Sequence, residues 1–229
     1  MKRSKEEHQG QRCLVMFVKY PEKGKVKTRL SEYFDEDTVV RLYRAFISDL
    51  LERLPGDDYD FRIAYHPREK KEAFSREFGK SFVYMPQTGT DLGKRMLNAF
   101  RRCFSDGYRS VVVIGSDSPD LPRRIVMEAF QALEKGAVIG PACDGGYYLI
   151  GFRREQFLPG VFTGITWGGD SVCKTTLRIL EDAGIGFHVL PVWRDIDRPE
   201  DISALIEDSD THGFASSKTI ACLREAKMK

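Results

Sequence analysis

The residues best suited to chemistry lie in one short stretch, Gly115-Ser-Asp-Ser-Pro-Asp-Leu-Pro122. It holds two carboxylates, Asp117 and Asp120, with Ser116 and Ser118 beside them. Oxygen ligands of this kind suit a hard cation such as Mg²⁺ or Mn²⁺ that itself carries substrate phosphates. The same residues also suit an Asx-turn and a helix cap, in which the carboxylates serve only the local backbone. Either use needs a rigid element to present the turn. Residues 111–114, Val-Val-Val-Ile, are expected to supply it as a central strand buried on both faces of a parallel sheet. Pro119 and Pro122 end that strand and stiffen the turn, and a helix is expected over 123–132. Ligands of open α/β sheets bind at the carboxyl ends of the strands, which is where Asp117 and Asp120 would stand.

Three other stretches carry similar potential. After an expected first strand at 12–19, the segment 19–29 places Lys19, Lys23, Lys25, Lys27 and Arg29 around Gly24. A basic, glycine-containing loop in that place makes an anion cradle, because cations and backbone N–H groups converge there. It has neither the GxxxxGK[ST] spacing of a P-loop nor a GxGxxG, and it also reads as a solvated basic turn. In Gln87-Thr-Gly-Thr-Asp-Leu-Gly-Lys-Arg95, Gly89 and Gly93 flank a helix cap at Thr90 or Asp91. Such a loop reads a base edge, holds phosphate, or simply caps. In 140–151, Gly145 and Gly146 let backbone approach a ligand closely, with Asp144 just before them. The same three residues also make a plain hairpin turn. Downstream, Trp167 precedes Gly168-Gly169, and Asp170 is expected to cap a helix running to about 183. Asp195 and Asp197 follow a late strand at 187–190 and precede a helix that starts at Pro199.

The elements that must position these residues alternate along the chain. Further strands are expected at 61–65, 81–85, 137–139 and 147–150. Helices are expected at 35–54, from 66 to about 78, from 91 to about 104, and near 216–226. The first of these has Val39, Leu42, Tyr43, Phe46, Leu50 and Leu54 near helical spacing. His66 is taken as a strand-end residue. The alternation implies one α/β domain over 12–207, between a flexible N-terminal lead at 1–11 and a polar C-terminal tail at 208–229.

Bulk properties exclude some classes. The 36 basic and 34 acidic residues give a formal charge of +2, without the basic excess of a nucleic-acid-binding protein. The five cysteines (13, 103, 143, 173 and 222) show no CxxC pair and fit a reducing cytosol, so a cytoplasmic location is expected. No apolar run approaches the roughly 20 residues of a membrane span, and the polar start lacks the apolar core of a signal peptide. The oligomeric state is left open.

Taken together and in order, KYPEKGKVKTRL at 19–30, QTGTDLGKRM at 87–96, GSDSPDLP at 115–122, GPACDGGYYLIG at 140–151 and DIDRPEDI at 195–202 resemble the GT-A-fold nucleotide-diphospho-sugar transferase superfamily. Within it they look like the DUF2064-type bacterial glycosyltransferase-like group, over residues 12–207. The resemblance implies a three-layer α/β/α sandwich with a mostly parallel central sheet. It implies a nucleotide held by Lys19, Gly24, Lys27 and Arg29, with Gln87, Gly93 and Arg95 facing base or ribose. It implies Mg²⁺ or Mn²⁺ on Asp117, with Asp197 as a second metal carboxylate. Asp144 is the candidate base on the acceptor side, and Gly145, Gly146 and Trp167 would face the sugar or a small-molecule acceptor. Two departures stand out. The common Asp-x-Asp metal motif is here Asp117-Ser-Pro-Asp120, which would leave Asp120 pointing toward the following helix, and Arg198 replaces a frequent threonine.

The activity implied is metal-dependent transfer from a nucleotide sugar. The alternative is nucleotidylyl transfer from a nucleoside triphosphate to a phosphorylated acceptor, with release of pyrophosphate. The dense cations at 19–29 suit a triphosphate, whereas the single glycine of that loop departs from a G-x-G-x-R pattern. A nucleotide-binding protein without turnover is a third reading. The three acidic groups Asp117, Asp144 and Asp197 at strand ends argue against it.

Overall fold

Strand β1 (Arg12–Lys19) divides its side chains between two cores. Leu14, Met16 and Val18 face one, and Cys13, Val15 and Phe17 the other. This is the period-two signature of a strand covered on both faces. The structure, a computed structural model, describes residues 11–210 and 213–226; residues 1–10 of the expected N-terminal lead lie outside them. The other strands are β2 (Asp60–His66), β3 (Val83–Pro86), β4 (Ser110–Ile114), β5 (Ala137–Pro141), β6 (Tyr147–Arg153) and β7 (Phe187–Val189). They form one sheet in the order β3-β2-β1-β4-β6-β5-β7.

Helices cover both faces, so the architecture is the three-layer α/β/α sandwich with a mostly parallel sheet. On one side lie α1 (Glu36–Arg53), α2 (Lys71–Phe78), α4 (Arg123–Ala132), α6 (Pro199–Asp208) and α7 (Lys218–Glu225). On the other lie α3 (Leu92–Ser105) and α5 (Val172–Asp182). Helix α3 is fixed by an aromatic cluster. Phe100 meets Phe152 edge-on at 5.5 Å and packs at 5.4 and 5.5 Å against Phe157 and Phe162. Such pairs add about 0.5–1.5 kcal/mol each beyond their burial. Phe100→Ala would cost about 3–5 kcal/mol and loosen the helix that carries Gly93 and Arg95.

All strand pairs are parallel except β4/β6 and β5/β6. Strand β4 therefore has one parallel and one antiparallel neighbour, not the parallel pair its sequence suggests. The cause is the short turn at 142–146, which returns the chain at once and can only join antiparallel strands. β2 and β3 lie to one side of β1 and β4 to the other, so the carboxyl ends of β1 and β4 flank the switch point where crevices form.

The segment following residue 208 includes helix α7, which docks on α1. Buried Asp49 accepts the backbone N–H groups of Lys218 and Thr219 at 2.9 and 2.8 Å, capping α7 from another helix. Among the described residues, no helix is long and apolar enough to cross a membrane.

Candidate active site

The turn after β4 sorts its polar side chains. Ser116 shares a 2.7 Å hydrogen bond with Tyr43 of α1. Ser118 donates to Asp195 Oδ1 at 2.7 Å. Asp120 accepts from Trp193 Nε1 at 3.0 Å. All three turn residues are buried. Asp117 alone faces the crevice, with its side chain 45 % exposed. Asp120 thus turns away from Asp117, as its spacing suggested, but toward Trp193 and not the following helix. Helix α4 begins at Arg123, with Pro122 in the cap position and no side-chain cap.

The segment after β7 brings the remaining carboxylates. It runs beside β5 through the Leu190 N–H to the Ile139 carbonyl (2.9 Å) and the Trp193 N–H to the Pro141 carbonyl (3.0 Å). The Ile196 N–H then donates to the Asp117 carbonyl at 2.8 Å. This last bond sets Asp195 and Asp197 on either side of the β4 turn. Asp197 is held below the usual carboxylate range: burial would raise it, but the Lys27 ammonium outweighs burial. Asp195 is pushed up to about 7, first by burial and then by repulsion from Asp117, with Asp144 adding to the rise. Tyr43 is pushed up to about 12 by its burial and by Asp117.

Lys27 joins the two carboxylates. Its Nζ lies 2.6 Å from Asp117 Oδ1 and 2.7 Å from Asp197 Oδ1, and its side chain is 4 % exposed. Burial disfavours its charge, yet the two carboxylates outweigh burial and hold its pKa above the ordinary lysine value. Arg29 approaches Asp197 Oδ2 at 3.4 Å from the exposed side.

The other cations of the loop do not gather with them. Lys23 pairs with Asp37 at 2.7 Å. Lys25 is exposed, and Gly24 marks the turn with φ +68°. Lys19 is exposed and lies opposite His66 at the ends of β1 and β2, and the imidazole of His66 is depressed first by burial and then by the charges of Arg95 and Lys19. Gln87 donates its amide to the Val18 and Ala64 carbonyls at 3.2 and 2.8 Å, fixing itself across the ends of β1 and β2. Lys19 and Gln87 thus stand together at the carboxyl ends of β1 and β2, while Arg95 donates from Nε to the Gly89 carbonyl at 3.2 Å.

A further group lies on the far side of β4. Asp144 is exposed and its Oδ1 accepts the Gly146 N–H at 2.8 Å, making the turn that joins β5 to β6. Gly145 has φ +87°, and a Cβ there would stand 2.0 Å from the Asp170 carbonyl oxygen. Only glycine lets these two backbones meet. The cap of α5 is Ser171, one residue beyond Asp170, and its side chain makes no capping bond. Asp91 fills the corresponding place on α3, accepting the Lys94 N–H at 2.8 Å. Trp167 meets Tyr147 edge-on at 6.3 Å. Gly93 lies buried beneath that indole: a Cβ on it would be 2.6 Å from Trp167 Nε1. Gly93, expected beside Gln87 and Arg95 on the base or ribose side, packs against Trp167. Two residues of the site, Tyr43 and Trp193, give no sequence signal of their own. Tyr43 in particular reads simply as an apolar position of α1.

The carboxylate pair fits a hard divalent ion. Asp117 and Asp197 converge on one point and already hold one cation there, the Lys27 ammonium. Among the described residues no three His, Cys, Asp or Glu side chains converge on a metal position. Two carboxylates with the balance from phosphate and water is the usual set for Mg²⁺.

A family model described as an uncharacterized protein conserved in bacteria, DUF2064, matches residues 51–169 of this chain, just over half of it. A solved structure from Desulfovibrio desulfuricans G20, provisionally named a nucleotide-diphospho-sugar transferase, is 42 % identical. The match covers 95 % of both chains with a TM-score of 0.91. The chain belongs to the DUF2064 family. Its fold is also that of a cytidylyltransferase from Leptospira borgpetersenii, at 12 % identity, TM-score 0.53 and coverage of 95 % and 93 % of the two chains. A CMP:2-keto-3-deoxy-manno-octonic acid synthetase complexed with CTP matches at 9 % identity and TM-score 0.51, covering 88 % of this chain and 99 % of that one. No curated protein matches the chain. In this DUF2064 member Lys27, Asp117 and Asp197 meet at the carboxyl ends of β1 and β4, the switch point of the sheet.

Proposed function

We propose that this chain is a transferase that draws on a nucleotide-activated donor, with a nucleotide-diphospho sugar as the donor and a small molecule as the acceptor. One observation carries the reading. At the carboxyl ends of β1 and β4, Lys27, Asp117 and Asp197 meet within hydrogen-bonding distance although they come from three remote segments. The name of the 42 % identical relative points the same way.

In this reading the diphosphate lies against Lys27 and Arg29, whose charges oppose its own as it leaves, with Gly24 in the turn of the same loop and Lys19 toward the base or ribose side. Gln87 and Arg95 lie on the base or ribose side. Both amide hydrogens of Gln87 are taken by strand-end carbonyls, so its Oε1 is the atom left to accept from a ligand. Asp117 and Asp197 would hold Mg²⁺ or Mn²⁺, which would neutralise charge on the departing phosphates. Gly145, Gly146 and Trp167 shape the acceptor side, with Asp144 as the base that takes the acceptor's proton. The five cysteines are all free, in keeping with work in a reducing cytoplasm.

The experiment is a thermal-shift screen with Mn²⁺ against nucleotide sugars and nucleoside triphosphates, repeated on Asp117→Asn. A ligand at 100 times its Kd stabilises by about 2.7 kcal/mol. The wild type should shift with a nucleotide sugar plus Mn²⁺, and Asp117→Asn should lose that shift while keeping its fold. A shift confined to triphosphates, with pyrophosphate as product, would move the reaction to nucleotidylyl transfer. An undiminished shift in Asp117→Asn would remove that carboxylate from the site.

A further inference from the structure

Lys27 stands where a divalent ion would stand. Its ammonium is within 2.7 Å of an oxygen of both Asp117 and Asp197, and its side chain is almost wholly enclosed. Its backbone is fixed as well. The flanking Val26 and Leu30 are buried in the core beneath α1, and Lys27 itself has φ +45°, a conformation rare for any residue but glycine. Only the side-chain torsions of Lys27 are free to change its position.

We propose that the Lys27 ammonium and a divalent ion compete for the Asp117–Asp197 pair, so that the ion binds well only when a phosphate group takes up Lys27. The proposal rests on the nucleotide reading above. An ion arriving alone draws the two carboxylates away from the ammonium, leaving an enclosed positive charge short of counter-charge beside a new one of 2+. That arrangement is strongly disfavoured, because a buried charge without a partner is costly. A phosphate removes the obstacle. It offers the ammonium strong acceptor oxygens within reach of a lysine stem, and it can also ligate the ion. Ion and phosphate then help each other to bind, and by linkage the help is equal in both directions. Lys27 is in this sense a positioning residue for the ion, acting through the two carboxylates it releases.

The test measures Mn²⁺ binding with no nucleotide or phosphate present, from the free-ion signal in electron paramagnetic resonance, for wild type, Lys27→Met and Lys27→Gln. Circular dichroism and the melting midpoint show which variants fold. The expected result is an Mn²⁺ affinity at least tenfold higher in the folded variants than in wild type, with the gain lost when Asp197→Asn is added. Two results would overturn the proposal. If Lys27→Met and Lys27→Gln bind Mn²⁺ no more tightly than wild type while Asp117→Asn abolishes binding, the metal reading stands and the competition does not. If neither wild type nor any folded variant binds Mn²⁺, both the competition and the metal reading fall. Should both variants fail to fold, wild-type titrations with and without inorganic phosphate take their place. Phosphate must then raise Mn²⁺ affinity beyond what Mn²⁺–phosphate association in buffer accounts for; equal affinities refute the competition.

Discussion

Asp195 offers a quantitative check on the site without any ligand. Its carboxyl is partly buried, accepts one hydrogen bond from Ser118 and faces Asp117, and its pKa is raised to about 7. In the unfolded chain it titrates near 3.8. Between those values the native state holds a proton that the unfolded state has lost. Stability linked to this group is therefore present below about pH 4 and is lost as pH rises toward 7. A rise of three units corresponds at most to about 4 kcal/mol, of which about 2–3 kcal/mol falls between pH 5 and 8. Asp195→Asn keeps an acceptor for Ser118 and removes the ionisation. The assay is urea denaturation at pH 5, 6, 7 and 8 with a chelator present, comparing the variant with wild type. The variant should gain relative to wild type as pH rises, by about 2 kcal/mol at pH 8 over pH 5. His66 and the other titrating groups remain in both proteins and cancel in the difference. Parallel pH profiles for the two proteins would mean that Asp195 is ionised as in water, and the packing of carboxylates around the β4 turn would be wrong.

Three further outcomes can be measured. Gly145→Ala should destabilise by about 2–4 kcal/mol, since its φ of +87° disfavours a side chain and the new Cβ would meet the Asp170 backbone; a loss below about 0.5 kcal/mol in urea denaturation would show that the β5–β6 turn is not held against the start of α5. Tyr43→Phe deletes the hydroxyl that accepts the Lys19 N–H at 3.2 Å and bonds Ser116. It should cost about 1–3 kcal/mol in the same assay, and an unchanged midpoint would separate α1 from the site. Asp49→Ala should speed hydrogen exchange at the backbone amides of Lys218 and Thr219 and cost about 1–2 kcal/mol; unchanged exchange there would show that the Asp49 carboxylate does not cap α7.

The fold was largely legible because the sheet announces itself locally. β1 and β4 are short runs of apolar residues, all β-branched in β4, and each is followed by a turn and an amphipathic helix. What the sequence does not carry is strand direction. Residues 147–150 read as a strand in either orientation, and the Gly145-Gly146 turn that makes β6 antiparallel is equally suited to holding a ligand. Helix ends depended on which of two neighbouring side chains reached back. Asp91 does so and Thr90 does not, whereas Ser171 fills the cap position of α5 without a bond and Asp170 lies against Gly145.

The site was legible as a set of carboxylates but not as an arrangement of them, and the reason is distance along the chain. Asp117, Ser118 and Asp120 are nearly adjacent, yet Ser118 meets a residue 77 positions away and Asp120 one 73 positions away. Lys27 reaches Asp197 across 170 positions. No local pattern says which member of such a turn will be drawn inward. The outcome follows from competition among partners: the buried Tyr43 and the partly buried Asp195 and Trp193 each claim one side chain of the turn, and Asp117 is the one left to the crevice. A carboxylate so left would repel Asp195 and Asp197 beside it, and Lys27 is the positive charge that makes the cluster tolerable. The same cation that stabilises the folded site must therefore change partners before the site can take up an ion, which joins the stability of the turn to the binding chemistry proposed for it.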